Sequence, residues 1–388
     1  MKPEIYLDNS ATTPLSDVAK AAISDMMAVY GNPSSLHTLG QEAGAKITEA
    51  RTSILRALGV RPRQGHLFFT SCGTEATSLA LFGTAYAKAR RDATRILTTD
   101  SEHPSVARVM DALAADGFDV VRIGTKGGLL DMDALRAALD KKILLASFML
   151  VNNETGAVYP VKEAFSLIRQ KYPDAVMHCD AVQGFLKLPF TPVGLGADLI
   201  SISAHKLHAP KGVGALYVSE EMIKSKRIVP FLLGGGQESG MRSGTENTIG
   251  IVAFGAVVAD TAPRRAEIAA SLLSLREYAE EKLEKTEIRI NRPQGERAPH
   301  ILHLTLPSIK SETMLHHLSA SGIYVSSGSA CSSHAKNPSS TLLSFGLSAA
   351  EADCSLRVSF SEYNTKEDVD ALCDALGDGL ARLVRIKR

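Results

Sequence analysis

The chain has 388 residues, of which 45% are hydrophobic and 22% are charged, and its formal net charge is +1. A chain of this length can bury a large core, divided between about two domains. The balanced charge argues against binding to nucleic acid or to a membrane through bulk charge. No apolar run approaches the length of a membrane span, and residues 1–8 lack the apolar core of a signal peptide. We therefore expect a cytoplasmic protein.

The number and spacing of the cysteines indicate a protein of a reducing compartment. Five of them stand at positions 72, 179, 331, 354 and 373. The odd number and the irregular spacing argue against a disulfide framework and against a zinc site. We expect reduced thiols, as in the cytoplasm, and no metal centre.

The hydrophobic pattern predicts strands that alternate with helices. In chain order we expect helices over 16–29 and 38–58, a strand over 66–70, a helix that ends near 89, a strand over 95–99, a helix over 104–115, a strand over 118–123, a helix over 132–139, a strand over 143–151, a helix over 162–171, a strand over 175–179, and two apolar strands near 198–200 and 213–218. This order predicts an α/β unit with a mainly parallel sheet, whose ligands bind at the carboxyl ends of the strands.

The turn at residues 71–76 joins the first of these strands to a helix and is rich in Gly, Ser and Thr. Free backbone N–H groups and the helix dipole make such a turn a possible anion site. It has neither a Walker lysine nor a G-x-G-x-x-G pattern, which argues against a nucleotide. A plain N-cap explains the turn equally well.

Polar side chains follow four of the later strands. They are His103, Asn153, Asp180 with Gln183, and Ser203 with His205 and Lys206. Each alone fits a cap or a turn, but together they would converge on one crevice, because the carboxyl ends of parallel strands share an edge. Lys206 is the most informative of them. A lysine so close to a core can lose hydration, which lowers its pKa and frees the amine to form a Schiff base.

The second half of the chain is predicted to contain the boundary between two domains. We expect more than one helix over 248–285 and place the domain boundary near Ala262-Pro263. Residues 15–262 would form a large domain. Residues 1–14 and 263–388 would form a smaller α+β domain, with strands near 301–306, 323–325 and 355–360.

Three further features have both a functional and an ordinary explanation. The glycine-rich loop over 233–245 contains Arg242 and Thr245, which are anion-binding types, although a flexible connector explains it too. Cys331 lies in a small, polar loop where a thiol is accessible and can be activated, or is simply open to oxidation. Arg357 alternates with apolar neighbours on a strand, where it could meet a carboxylate bidentately or be an edge charge.

These motifs, in this order, resemble the cysteine desulfurases of the NifS/IscS type, which are class V, fold-type I pyridoxal-phosphate enzymes. The resemblance runs from residue 6 to the helix after residue 365. It is most specific at residues 151–156, 180–183, 203–206, 240–245 and 327–331. It implies a large cofactor-binding domain on a mainly parallel sheet and a smaller α+β C-terminal domain that carries the catalytic-cysteine loop.

The resemblance also implies a role for each candidate residue. Lys206 would hold pyridoxal 5′-phosphate as a Schiff base and then move protons. Asp180 would pair with the pyridine nitrogen, and His103 would stack on the ring and assist proton transfer. The remaining contacts would be Gln183 and Asn153 to the ring oxygen and the substrate, Gly73, Thr74, Ser203 and His205 to the phosphate, Thr245 to the phosphate from the other subunit of a homodimer, and Arg357 to the carboxylate of L-cysteine.

The implied reaction ends on Cys331. Its thiolate would attack the sulfur of L-cysteine, L-alanine would leave, and the persulfide would pass to an acceptor protein such as an iron–sulfur scaffold or a tRNA-thiolation protein. The thiol loop argues against a plain aminotransferase. A selenocysteine lyase stays open, because the two substrates differ by one atom.

Three positions depart from the pattern of the family. Cys72 stands where a glycine is expected, Cys179 where a valine is usual, and Ser239 where an arginine is common. The loop after Cys331 keeps the length of the long-loop class while its side chains differ.

Overall fold

The structure is a computed structural model that describes residues 4–87, 93–327 and 338–385. Its helices are α1 (Asp17–Met26), α2 (Thr38–Ala57), α3 (Gly73–Ala85), α4 (Pro104–Ala115), α5 (Met132–Ala137), α6 (Val161–Lys171), α7 (Pro192–Leu195), α8 (Glu220–Lys224), α9 (Thr248–Leu283), α10 (Ser311–Ala320), α11 (Ser340–Phe345), α12 (Ala349–Asp353) and α13 (Lys366–Arg382). None of these helices is long and apolar enough to cross a membrane.

The strands of the described residues are β1 (Ile5–Tyr6), β2 (Gly65–Thr70), β3 (Arg95–Thr99), β4 (Asp119–Ile123), β5 (Ile143–Met149), β6 (Val176–Asp180), β7 (Leu199–Ser203), β8 (Gly214–Ser219), β9 (Arg289–Ile290), β10 (Ile301–Thr305), β11 (Ile323–Tyr324), β12 (Ser326–Ser327) and β13 (Ser355–Ser359). Within residues 65–219 the predicted alternation of strands and helices is confirmed, with ends that differ by a few residues.

The large sheet has the strand order β2-β8-β7-β6-β5-β3-β4. Strands β7, β6, β5, β3 and β4 pair in parallel, whereas β8 is antiparallel to both of its neighbours. The predicted mainly parallel sheet is therefore confirmed. Its parallel strands end at one edge, which sets the place of the polar residues that follow them.

Helices cover both faces of this sheet, because successive side chains of a buried strand point to opposite sides. In β7, Leu199 packs in the cluster under α3 and α4, and its neighbour Ile200 packs in the cluster under α2, α6 and α9. On α2 the predicted apolar face is confirmed: Ala43, Ile47, Ala50, Ile54 and the following Leu58 are all buried.

Helix α9 corrects the expectation of more than one helix over 248–285. It runs without interruption through Pro263, so the boundary placed near Ala262-Pro263 falls inside a helix. Proline removes one N–H from the helical ladder, and here that loss is tolerated because Pro263 and Ala259, whose carbonyl loses its donor, are both exposed to water. The domain boundaries themselves stay a prediction.

A second core forms around the C-terminal strands. Strands β12, β13, β10 and β9 form an antiparallel sheet, and β1 pairs in parallel with β11. The far half of α9, from Ile268 to Leu283, packs in this cluster. The chain leaves β1, bridges from Asp8 to Ser359, and then reaches the large sheet, where the Thr13 N–H donates to the His205 carbonyl at 3.0 Å. Residues 8–13 thus connect the two cores beside the strand ends.

Candidate active site

The carboxyl ends of β3, β5, β6 and β7 border one cavity of about 250 Å³. Ten of the twelve predicted site residues line it: Gly73, Thr74, His103, Asn153, Asp180, Gln183, Ser203, His205, Lys206 and Arg357. The structure therefore brings together residues that are more than 280 positions apart in the chain. The order of the strands predicted this for the residues that follow β3, β5, β6 and β7, but not for Arg357, which lies in another sheet. Their roles remain predictions.

Lys206 ends the short 3₁₀ turn that follows β7. Its Nζ donates to the carbonyls of Ser10 and Ala11, at 2.7 and 2.6 Å. The residues after β1 therefore hold the amine at the cavity, an arrangement that the strand pattern alone did not indicate.

The N-terminus of α3 borders the cavity at Gly73 and Thr74. Its N-cap, Cys72, makes no side-chain capping bond, so the N–H groups of the first turn have no such acceptor. A Cβ on Gly73 would lie 3.2 Å from both Ser203 Cβ and Val182 Cγ2, so glycine leaves this approach open. Ser203 is 2% exposed, and its Oγ has no hydrogen-bond partner among the described residues. A phosphate would satisfy these donors.

Asp180 is the last residue of β6 and is buried. Burial raises its pKa to about 6, against the opposing effects of the Val182 N–H, which donates to Oδ1 at 3.0 Å, and of the Lys206 charge. A protonated ring nitrogen facing this carboxylate would keep it ionised.

His103 caps α4, and this fixes its ring. Nδ1 accepts from the Ser105 N–H at 3.1 Å, so the proton of the neutral ring is on Nε2. Burial, with smaller effects of the Lys206 and Arg357 charges, lowers its pKa to about 4. His103 is therefore a neutral imidazole at physiological pH, and its Nε2–H can donate a hydrogen bond to a ligand without bringing charge into the cavity.

Arg357 reaches the cavity from the C-terminal core. It is 4% exposed, its Nη2 lies 2.8 Å from Asp8 Oδ1, and its Nη1 donates to the Asn153 carbonyl at 2.9 Å. Its Nε has no partner within the described ranges. The guanidinium is thus oriented from two sides and keeps donor capacity for a carboxylate.

Two more predicted residues are held by the segment after β1. Gln183 donates from Nε2 to the Ser10 carbonyl at 2.9 Å. His205 Nδ1 lies 3.2 Å from Thr12 Oγ1, and burial, followed by the charge of Lys206, lowers its pKa to about 4. Both contacts join the segment to strand ends of the large sheet.

Two predicted residues do not line the cavity. Thr245 is exposed, and its role in the other subunit of a dimer stays a prediction. Cys331 lies outside the described residues. Three residues before Thr245, Arg242 pairs with Glu75 at 2.7 Å, so this predicted anion-binding arginine meets a carboxylate of its own chain.

Sequence reasoning missed two carboxyl groups. Asp8 orients Arg357, as described above. Glu102 is buried beside His103 and accepts from the Thr99 hydroxyl at 2.8 Å and the Met149 N–H at 3.0 Å, which ties the end of β3 to β5. Burial raises the pKa of Glu102 to about 8. The sequence offered one signal for Glu102, which is that it directly precedes His103 at the end of a strand.

Comparison with known proteins shows the family of this chain. Residues 5–372 match the family described as aminotransferase class-V. A cysteine desulfurase IscS of Dictyoglomus turgidum is 37% identical over 380 residues, 97% of this chain and 94% of that protein. A solved NifS-like protein superposes with a TM-score of 0.89 at 32% identity, covering 98% of this chain and 100% of that one. SspA, solved in complex with cysteine, has a TM-score of 0.80 at 28% identity, with 94% and 100% covered.

The family model covers most of the chain, and the relatives match it almost from end to end at more than 30% identity. The chain therefore belongs to the class-V aminotransferase family, among the cysteine desulfurases of the NifS/IscS type.

Proposed function

We propose that this protein is a pyridoxal-phosphate-dependent cysteine desulfurase, which converts L-cysteine to L-alanine and keeps the sulfur as a persulfide. The observation that carries the proposal is the cavity in which a lysine, a buried aspartate, a neutral histidine and an oriented arginine meet. The related SspA has been solved with cysteine, which supports the same substrate here.

The residues of the cavity fit the cofactor. Ser203 Oγ and the first turn of α3 offer donors for its phosphate, Asp180 offers a carboxylate for its ring nitrogen, and Lys206 offers the amine that would hold it. When bound, pyridoxal phosphate supplies an electron sink for the α-carbon of the substrate. His103, Gln183 and Asn153 would complete the contacts to the ring and the substrate.

Arg357 and Lys206 would act on the substrate. The guanidinium binds the α-carboxylate, which fixes the direction in which the side chain of L-cysteine points. The amine of Lys206 then takes the α-proton, and His103, which lines the same cavity, would assist this proton transfer.

The sulfur step would belong to Cys331. Its thiolate attacks the substrate sulfur, the carbon–sulfur bond breaks, and its electron pair stays on the β-carbon, which takes up a proton. A persulfide forms on the enzyme, and L-alanine leaves. An acceptor protein, such as an iron–sulfur scaffold, would then take the sulfur. The need to keep this thiol reduced favours the cytoplasm.

A homodimer would complete the site through Thr245. Where its loop begins, Phe231, Leu232 and Leu233 are 48%, 41% and 77% exposed, and the Ser243 N–H donates to the Leu232 carbonyl at 3.2 Å. A second copy of the chain that covers this apolar run would bring Thr245 to the neighbouring cavity.

The test is the formation of alanine from L-cysteine by the purified protein with pyridoxal phosphate and a thiol reductant. Wild type should release alanine and sulfide. Lys206→Ala should lose both activity and the visible absorption of bound cofactor, whereas Cys331→Ser should keep the absorption and lose catalytic release of sulfur. Bound cofactor without alanine from the wild type would contradict the proposed substrate.

A further inference from the structure

A second, smaller cavity of about 40 Å³ also borders Lys206. It is lined on other sides by Asn9, Lys187, His208 and Glu362. Because about 10 to 15 Å³ is enough for one water molecule, this space admits two or three, provided that polar groups face it.

Two of the lining residues carry buried groups of complementary chemistry. Nζ of Lys187 and Oδ1 of Asn9 each lack a hydrogen-bond partner among residues 4–87, 93–327 and 338–385. The first is a donor and the second an acceptor, so one bound water can satisfy both. Without such a water, each group would be buried without a hydrogen bond, which would lower the stability of the folded protein.

Burial of Lys187 weakens the hold of its amine on a proton. Burial, with a smaller effect of the Lys206 charge, lowers the pKa of Lys187 to about 7. The other titratable neighbours are His205, His208 and His300, whose pKa values are lowered in part by Lys187 itself. The cavity carboxylate, Glu362, already pairs with Arg264 at 2.8 Å.

We propose that ordered water in the small cavity joins the amines of Lys187 and Lys206, and that Lys187 is a positioning residue which accepts and returns the proton that Lys206 exchanges. In the forward step the ammonium of Lys206 becomes a neutral amine, the neutral amine of Lys187 becomes an ammonium, and the net charge of the pair is unchanged. The inference deepens the proposed function and rests on it, because Lys206 needs such a partner only if it moves protons.

The test compares Lys187→Met, Lys187→Gln and the matched control Lys211→Met, which removes an exposed lysine near the same turn. Two readouts are needed. The first is uptake of pyridoxal 5′-phosphate by the apoprotein, followed by absorption. The second is exchange of the α-proton of L-alanine with deuterated water, followed by NMR, which needs Lys206 but not Cys331.

We expect all three variants to take up the cofactor. Exchange should fall about tenfold or more in both Lys187 variants and stay unchanged in Lys211→Met. In wild type, exchange should fall below about pH 7, where Lys187 is already protonated, and this inflection should be lost in Lys187→Gln. A high-resolution crystal structure should show water bonded to Lys187 Nζ.

Three outcomes would overturn the inference. If Lys187→Met exchanges the α-proton as fast as wild type does, Lys187 has no role in the exchange. Exchange that survives in Lys187→Gln but not in Lys187→Met shows that the residue only holds water in place. A high-resolution crystal structure with no water in the small cavity would show that water does not join the two amines. If wild type itself binds the cofactor but exchanges no α-proton, the proposed function fails, and this is seen before any variant is compared.

Discussion

Arg357 and Asp8 form an ion pair, with 2.8 Å between Nη2 and Oδ1, although 349 positions separate them in the chain. The side chains are 5% and 19% exposed. Asp8 stands between β1 and the segment that holds Lys206, so this pair joins the arginine of the C-terminal core to the residues that position the lysine.

Removal of the Arg357 guanidinium should weaken the binding of L-cysteine and also lower the stability of the protein, for two different reasons. Arg357→Ala should raise the KM for L-cysteine by about 10- to 100-fold, because a charge-assisted contact to the carboxylate is lost. It should also lower the free energy of unfolding by about 2 kcal/mol, since Asp8 is left without its partner.

The double variant Asp8→Asn/Arg357→Ala should recover part of that stability without recovering the KM. Arg108→Ala, at an exposed position, is the control and should change neither quantity. An unchanged KM in Arg357→Ala would remove this residue from the substrate site. Steady-state kinetics and urea denaturation provide both measurements.

Ser203→Ala should weaken the binding of pyridoxal phosphate without destabilising the apoprotein. Loss of an Oγ that lacks a partner should leave the free energy of unfolding of the apoprotein unchanged or raise it by about 1 kcal/mol. The affinity for pyridoxal phosphate should fall about tenfold, because a hydrogen bond to a charged group is lost. Titration of the apoprotein with the cofactor measures this.

Ser201→Ala on the same strand is the matched control for that change. Ser201 Oγ lies 2.9 Å from His178 Nε2, so its loss should destabilise the apoprotein and leave the cofactor affinity unchanged. Equal cofactor affinity in wild type and Ser203→Ala would show that this hydroxyl does not meet the phosphate.

Asp180 should make the stability of the apoprotein depend on pH. Its pKa is raised to about 6 in the folded state from an ordinary 3.8, so the folded protein binds the proton more tightly than the unfolded chain. This contribution is therefore present below about pH 4 and is lost as the pH rises through 6, at a cost of about 3 kcal/mol. Asp180→Asn avoids that loss.

Urea denaturation of the two apoproteins between pH 4 and 8 checks this. Asp180→Asn should be the more stable protein above pH 6, and the difference should shrink towards pH 4. Asp198→Asn should instead be less stable at neutral pH, because it breaks the 2.8 Å pair with Arg169. Parallel curves for wild type and Asp180→Asn would contradict the raised pKa.

The apolar run beside the Thr245 loop should hold the dimer together. Leu233 is 77% exposed, so Leu233→Asp should cost the subunit little stability but place a charge in the proposed interface. We expect a shift from dimer to monomer in sedimentation velocity, together with weaker binding of pyridoxal phosphate. Val384→Asp, at an 85% exposed position, should remain dimeric. A monomeric wild type would contradict the dimer outright.

Local patterns sufficed for most of the elements. The apolar spacing of α2 and the alternation over residues 95–203 are visible in the sequence, because helix and strand periodicity depend on neighbours a few positions apart. Pro263 misled the same reasoning. A proline in isolation predicts a break, whereas packing of α9 on two successive cores keeps the helix continuous.

The sequence by itself determined the family, the mainly parallel sheet and the strand-end residues that border the cavity, since all of these follow from short motifs and their order. Only the tertiary structure decided the contacts between distant segments, which are Asp8 with Arg357 and Ser10 with Lys206 and Gln183. It also decided that Lys187 and Asn9 line one small cavity. The reason is that burial and pairing depend on which segments pack together. An aspartate or a lysine looks the same in sequence whether water, a guanidinium or nothing at all faces it in the fold.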